Sequence, residues 1–258
     1  MTGNLNVSRE ERVLRITLDR ADKRNALTSA MCAGIIEAIE ASHNDASVGA
    51  ILIDAKGDVF CAGMDLDEAS TADATELTAI HERLFTAGTW ARKPIVAAIQ
   101  GPALGGGVGL ICNAHIAIAA HGSSFGLTEI RLGMWPFVIY RSVALALGER
   151  RALELSLMGR IFNVPEAVQW GLIHEATPAF ELDDRTTAVA MHLAQFSSEA
   201  MRLGLEFVQK TIGLDPVTAA PIAAELRKQV FGSADFKEGV AAFREKRRPK
   251  FVTPTPGT

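Results

Sequence analysis

The feature that most constrains this chain is a long stretch without charge. Residues 94–128 (PIVAAIQGPALGGGVGLICNAHIAIAAHGSSFGLT) contain no Asp, Glu, Lys or Arg, although those types make up 22% of the protein. A segment of that kind has to be covered by the rest of the fold. Its apolar runs and glycines predict a buried strand over 95–100, a glycine turn over 101–107 and a short helix. A second buried strand follows over 115–120, then a loop that ends on Glu129. A membrane-spanning reading fails, because five glycines, Gln100, Pro102, Asn113 and His115 interrupt the apolar run.

The flanking sequence supplies the cover. Residues 13–19 alternate, with Leu14, Ile16 and Leu18 on one face, and predict a half-buried strand. Thr28 or Ser29 is placed to cap a helix carrying Met31, Ile35 and Ile39. Residues 50–55 read as a buried strand and 60–66 as a glycine bend, after which Asp65 or Asp67 can cap a helix. A polar helical stretch is expected over 72–92, and mostly helix over 130–158 with Gly159 as its stop. Residues 165–171 place Pro first and Gly just past the end, which describes a short helix. A strand over 173–177 precedes helices at 182–197, 199–210, 218–231 and 235–246. Strands and helices alternate, then helices alone follow, so the expected class is α/β with a helical C-terminal region.

Composition removes several functions. A net charge of −4 argues against nucleic-acid binding, which needs a broad basic face. The first residues become charged at once and form no apolar leader. Cys32, Cys61 and Cys112 are widely spaced without a CxxC, as expected of small buried residues in a reducing, cytoplasmic setting. The histidines at 43, 81, 115, 121, 174 and 192 show no ligand spacing, so no metal site is expected.

Two glycine bends carry the chemical signal. Gly105-Gly106-Gly107 opening a helix can leave backbone N–H groups free to face an anion. Ala62-Gly63-Met64-Asp65 can supply a second donor, and an oxyanion hole usually needs two. The triplet is not a dinucleotide fingerprint, because Leu110 stands where the last glycine is required. Residues 122–126 (GSSFG) match GxSxG, but no immediate helix follows the serine, as a nucleophile elbow demands. Residues 243–251 (FREKRRPKF) set basic side chains between two phenylalanines. They read either as a solvated tail or as a phosphate and adenine contact.

Six segments together resemble the crotonase family, the enoyl-CoA hydratase/isomerase superfamily. They are DKRNAL at 22–27, FCAGMDL at 60–66, KPIVAAIQGPALGGGVGL at 93–110, FGLTEIRLG at 125–133, PEAVQWGLI at 165–173 and EGVAAFREKRRPKF at 238–251. The resemblance implies a spiral of ββα units over residues 1–195 and a helical trimerisation region over 196–258. It further implies a homotrimer or a hexamer built from two, an acyl-CoA substrate and no further cofactor. It makes Glu129 the catalytic carboxylate and the amides of Met64 and Gly106 the oxyanion hole. Lys23, Arg24, Ala26 and Ala62 would hold CoA, and Phe243 and Lys246 would reach its nucleotide end, including that of a neighbouring subunit's ligand. Trp135, Phe137 and Tyr140 suggest an apolar acyl lining.

The choice of reaction rests on departures from the family pattern. Hydratases of the family carry a glutamate directly after GGGx as well as a later one. Here the first position is Gly109, and Phe137 replaces the glycine that helps seat the attacking water. Moving a proton between two carbons needs one base, so the resemblance points to a Δ3-Δ2-enoyl-CoA isomerase. Hydratase, thioester hydrolase, decarboxylase and non-catalytic CoA binder are the alternatives. On this reading Gly109→Glu brings hydration, provided Phe137 leaves room for water.

Overall fold

The computed structural model describes residues 4–251. Its main sheet contains strands β1 (Leu5–Glu10), β2 (Val13–Leu18), β3 (Ala50–Ala55), β4 (Ile95–Ile99), β6 (Ile116–Ala120) and β9 (Glu175–Thr177), in spatial order β1-β2-β3-β4-β6-β9. Only the β1–β2 pair is antiparallel. A smaller sheet joins β5 (Ala103–Leu104), β7 (Ser124–Gly126) and β8 (Ile161–Asn163) in the order β5-β7-β8. Isolated parallel bridges, Leu27 to Met64 and Cys61 to Ala103, extend that second wall across earlier turns of the chain.

The result is a spiral. Each turn runs from a strand of the main sheet to a short extended piece of the second wall, then into helix. After β4 and β5 comes the helix Gly106–Cys112, and after β6 and β7 come the helices Phe137–Leu147 and Glu149–Met158. This is the α/β spiral implied by the resemblance.

The uncharged stretch is explained by which side each residue faces. In β3, β4 and β6 alternate residues Ile51, Ile53, Ile95, Ala97, Ile99, Ala117 and Ala119 join the large core inside the spiral. Their neighbours Ala50, Leu52, Val96, Ala98, Ile118 and Ala120 face the helix Leu182–Ala194. Both faces of the sheet are therefore covered, and a charge on either would be buried without a partner. The fit is close: a Cβ on Gly49 would lie 2.8 Å from the Ala194 Cα. Arg15 on β2 ties the arrangement together by pairing with Asp54 on β3 and with Asp183 on the covering helix.

Local signals set most of the helix starts. Thr28 accepts from the Met31 N–H, Asp65 from the Glu68 N–H, and Asn163 with Glu166 forms a capping box around Pro165. Some expectations need correction. The stretch 72–92 is α-helical only over Ala74–Leu84, with a separate 3-10 turn at Ala87–Thr89, and 130–158 is broken by Gly133 and Gly148, both at positive φ. Strands β1, β5, β7 and β8 were not expected. Beyond the covering helix, Ser198–Thr211, Pro216–Gly232 and Ala234–Arg244 pack on one another. No helix among the described residues is long and apolar enough to cross a membrane. Burial pushes the thiols of Cys32, Cys61 and Cys112 up to about 12.

Candidate active site

The glycine bends meet at one corner. Gly63 has a φ of 98°, and a Cβ there would lie 3.0 Å from the Leu104 carbonyl oxygen and 3.4 Å from the Gly106 nitrogen. Only glycine lets these two backbones approach so closely. The bridge beside it fixes the orientation. Leu27 N–H donates to the Gly63 carbonyl at 2.7 Å, and Asp65 N–H donates to the Leu27 carbonyl at 2.9 Å. The Gly63 carbonyl and the Asp65 N–H on either side of Met64 are thus engaged with Leu27, which leaves the Met64 N–H on the side away from Leu27. Gly106 opens a helix that no side chain caps. Neither amide has an acceptor among the described residues, and both residues line the same cavity.

Glu129 completes this corner. It opens a single 3-10 turn after β7, and a Cβ on Gly105 would lie 2.9 Å from its Oε1. Gly105 has a φ of 50°, so glycine is required there for conformation as well as for space. Oε2 of Glu129 is buried without a hydrogen-bond partner. Burial raises its pKa above the ordinary 4.5, opposed in part by its own backbone amide. Such a carboxylate is a stronger base than one in water.

The cavity has a volume of about 590 Å³ and is lined by residues between Ala62 and Ile139. Among the described residues Glu129 is the one acidic residue in that lining. Asp65 instead caps a helix and pairs with Arg20 at 2.5 Å, and Glu68 accepts the Ser29 N–H at 2.8 Å. Leu66, Leu77, Phe85, Leu132, Met134 and Val138 make the wall largely apolar, the composition usual for a small-molecule site.

Gly109 has a definite reason to be glycine. A Cβ there would fall 2.5 Å from Ile139 Cγ2 and 2.8 Å from Phe85 Cδ1. Both neighbours are almost fully buried. The Phe85 carbonyl is held by Asn113 Nδ2 at 2.6 Å and by the Ser142 hydroxyl at 2.7 Å. The place where a second carboxylate is expected is packed hydrocarbon, so Gly109→Glu has to displace Ile139 or Phe85. The expectation that Gly109→Glu brings hydration, given room for water beside Phe137, therefore also requires Ile139 or Phe85 to move.

The other sequence-predicted residues divide into those at the cavity and those away from it. Trp135 and Phe137 line it, Phe137 at an exposed mouth. Tyr140 is not in the lining: three residues past Phe137, its ring packs on that of Trp135 with centroids 5.9 Å apart and its hydroxyl donates to Glu149 Oε1 at 3.0 Å. Ala62 lines the cavity, and its N–H donates to the Arg24 carbonyl at 3.0 Å. Lys23, Arg24 and Ala26 lie outside the lining, on the loop docked there by Asn25. Phe243 lines a separate apolar groove with Phe236 and Phe251, and Lys246 is exposed beside it. Within one chain neither is brought to Glu129.

Ser124 of the GSSFG motif lies in β7, and Ser123 donates to the Ile99 carbonyl, so no nucleophile elbow forms. Among the described residues no group of three or more His, Cys, Asp and Glu is arranged to hold a metal ion. Sequence reasoning missed Phe85, Ile139 and His81. The last was visible as a histidine on the apolar stripe Leu77–His81–Leu84.

Comparison with known proteins agrees with this geometry. The family model described as enoyl-CoA hydratase/isomerase matches residues 8–254. A probable enoyl-CoA hydratase of Mycobacterium bovis is 34% identical over 252 residues, covering 95% of this chain and 96% of that protein. The 2,3-dehydroadipyl-CoA hydratase of Escherichia coli is 31% identical, covering 96% of this chain and 98% of the relative. The crystal structure of an enoyl-CoA hydratase from Mycobacterium smegmatis superposes with a TM-score of 0.91 at 28% identity, covering 96% of this chain and 98% of that one. On the family match and these relatives, the chain belongs to the enoyl-CoA hydratase/isomerase family, the crotonases.

Proposed function

We propose that this protein is an acyl-CoA isomerase that moves a double bond between the 3,4 and 2,3 positions of an enoyl thioester. One observation carries the choice: among the described residues Glu129 is the sole carboxylate lining the cavity, and the second carboxylate's place is filled by Phe85 and Ile139. In this reading the thioester oxygen sits between the amides of Met64 and Gly106. Glu129 takes a proton from C2, and the electron pair delocalises through the thioester and the double bond to give a dienolate. The same carboxyl then returns the proton to C4, which leaves the double bond between C2 and C3. Each amide strengthens its bond as charge develops, an effect of about 2.7–4 kcal/mol per donor. The proton transfer adds on the order of 10²–10⁴ in rate. No water has to be seated, in keeping with the apolar wall.

Hydration is the second reading, favoured by the hydratase names of the relatives. It requires a group other than a lining carboxylate to activate water. Assays with a 3-enoyl-CoA and with crotonyl-CoA, following the conjugated enoyl thioester, separate the two. Conversion of the first without hydration of the second supports the isomerase. Rapid hydration of crotonyl-CoA refutes it.

The CoA moiety is assigned to the rim formed by Ala62 and the 23–26 loop. The C-terminal helices are assigned to assembly, a reading supported by exposed Val217 (81%), Phe231 (48%) and Phe243 (84%). Light scattering of the purified protein tests this, with a trimer or hexamer expected and a monomer refuting it.

A further inference from the structure

Gly63 and Met64 share one planar trans peptide, in which the Gly63 carbonyl and the Met64 N–H point in opposite directions. Whatever holds that carbonyl therefore aims the amide. Leu27 holds it, its N–H donating to the Gly63 oxygen at 2.7 Å. Two more backbone bonds reinforce the contact. The Ala62 N–H donates to the Arg24 carbonyl at 3.0 Å, and the Asp65 N–H donates to the Leu27 carbonyl at 2.9 Å. Residues 24–27 thus form a splint along residues 62–65, although they stand outside the cavity lining.

A splint has to be rigid itself, and this one lies between regular elements, the 3-10 turn Ala21–Lys23 and the helix Ser29–Ser42. Asn25 supplies the rigidity. It is fully buried, and its Nδ2 donates to the carbonyls of Lys56 at 2.9 Å and Val59 at 2.7 Å, in the turn after β3. Its Oδ1 accepts the Arg20 N–H at 2.9 Å, and its own N–H donates to the Arg20 carbonyl at 2.9 Å. Arg20 carries the tie past Met64 by donating to the Ala26 carbonyl at 3.0 Å and pairing with Asp65.

The backbone here is strained. Arg24 and Asn25 have φ of 54° and 53°, a region that residues with side chains seldom enter. Asparagine tolerates that conformation better than most residues, but glycine adopts it more freely. Conformation alone therefore does not call for asparagine. What glycine lacks is the pair of donors that fastens the loop to Lys56 and Val59. Strain held in place by specific bonds beside a candidate site is the mark of pre-organisation.

Resting on the oxyanion-hole reading of the Met64 and Gly106 amides, we propose that Asn25 is a positioning residue, holding the splint that aims the Met64 N–H at the thioester oxygen. It touches neither the substrate nor the reacting atoms.

The test reads the amide through an acid bound beside it. Acetoacetyl-CoA loses a proton from C2 to solvent base and becomes an enolate with its charge on the oxygens, followed by its ultraviolet absorption. The titration is made in a Glu129→Gln protein, which removes the neighbouring carboxylate. At saturating ligand the pH midpoint reports only how much better the site holds the enolate than the neutral ligand, so neither fold stability nor CoA affinity enters. The midpoint in Glu129→Gln is expected to lie below that of the free ligand. Adding Asn25→Gly should raise it by about one pH unit, a tenfold fall in the ionisation constant. Asn25→Asp takes the place of Asn25→Gly if the latter does not fold. Gly49→Ala, which crowds Ala194 on the far face of the sheet, is the control for a merely structural effect and should leave the midpoint unmoved. An unchanged midpoint in the Asn25 variant overturns the proposal, and so does an equal rise in Gly49→Ala. A midpoint in Glu129→Gln itself no lower than that of the free ligand overturns the oxyanion-hole reading beneath it, a distinguishable result.

Discussion

Replacing Gly109 by glutamate puts the packed second-carboxylate position to a direct test. The new Cβ would stand 2.5 Å from Ile139 Cγ2 and 2.8 Å from Phe85 Cδ1, where carbon atoms normally rest about 3.5–4.0 Å apart. Relieving that overlap costs about 1–3 kcal/mol. Leaving the carboxyl without a partner adds about 1–3 kcal/mol, and the better helix propensity of glutamate returns roughly 0.5 kcal/mol. The net loss is on the order of 2–5 kcal/mol, which lowers the melting temperature by about 5–15 °C in a chain of this size. Gly109→Glu should therefore unfold early and fail to hydrate crotonyl-CoA. Combining it with Ile139→Gly removes the shorter contact. The double variant should be more stable than the sum of the single effects by roughly 1–3 kcal/mol, and it alone should gain hydration. Thermal unfolding of all four proteins closes the cycle. A Gly109→Glu protein that melts with the wild type, or hydrates crotonyl-CoA unaided, refutes the argument that Phe85 and Ile139 select the reaction.

Glu129→Gln should lower turnover of a 3-enoyl-CoA by on the order of 10²–10⁴ while acyl-CoA binding, measured by calorimetry, is kept. The same variant has a stability signature. The folded-state pKa of Glu129 is raised by burial, so its contribution is fully present below the ordinary 4.5 and is lost as pH rises through the folded value. Glu129→Gln should therefore melt higher than wild type at neutral pH and match it below that range; equal melting at both would show that the carboxyl is not desolvated. Gly63→Ala forces a side chain into a φ of 98° beside the Leu104 carbonyl, costing about 1–3 kcal/mol. Its activity should fall by more than the unfolded fraction accounts for, because the Met64 and Gly106 amides separate. Asp65→Ala removes a helix cap worth about 0.5–2 kcal/mol and leaves Arg20 without its partner, which a lower urea midpoint would reveal. The Asp65 carboxyl is held below its ordinary value by the Glu68 N–H and then by Arg20, so its stabilisation is present above 3.8 and lost as pH falls through the depressed value.

The sequence carried the main sheet, apart from β1, and the glycine corner because both are written in local, repeated signals. Residues 50–53 are apolar throughout, and the glycines at 63 and 105–107 mark places where backbone must meet backbone. The short strands β5, β7 and β8 carry no such signal. They are two or three residues long and exist because neighbouring turns of the spiral stack, a nonlocal cause. Tyr140 stands behind Trp135 rather than in the lining for a related reason. Being near Trp135 and Phe137 in sequence says nothing about which side of the helix Phe137–Leu147 it occupies. Gly109 was legible as a missing carboxylate but not as a filled space, since Phe85 and Ile139 come from different helices.

The helix Leu182–Ala194 sets an order on the protein's birth. Every residue of the candidate catalytic corner has been synthesised once the chain passes Glu129, and the main sheet is complete at β9. Yet the face bearing Leu52, Val96, Ala98 and Ile118 has no cover until Ala190 and Ala194 have left the ribosome. A nascent chain that stops at residue 181 holds its whole catalytic corner and a bare apolar sheet at once, the kind of surface on which unfinished chains associate. For this fold the most hazardous intermediate in synthesis is one whose chemistry is already encoded.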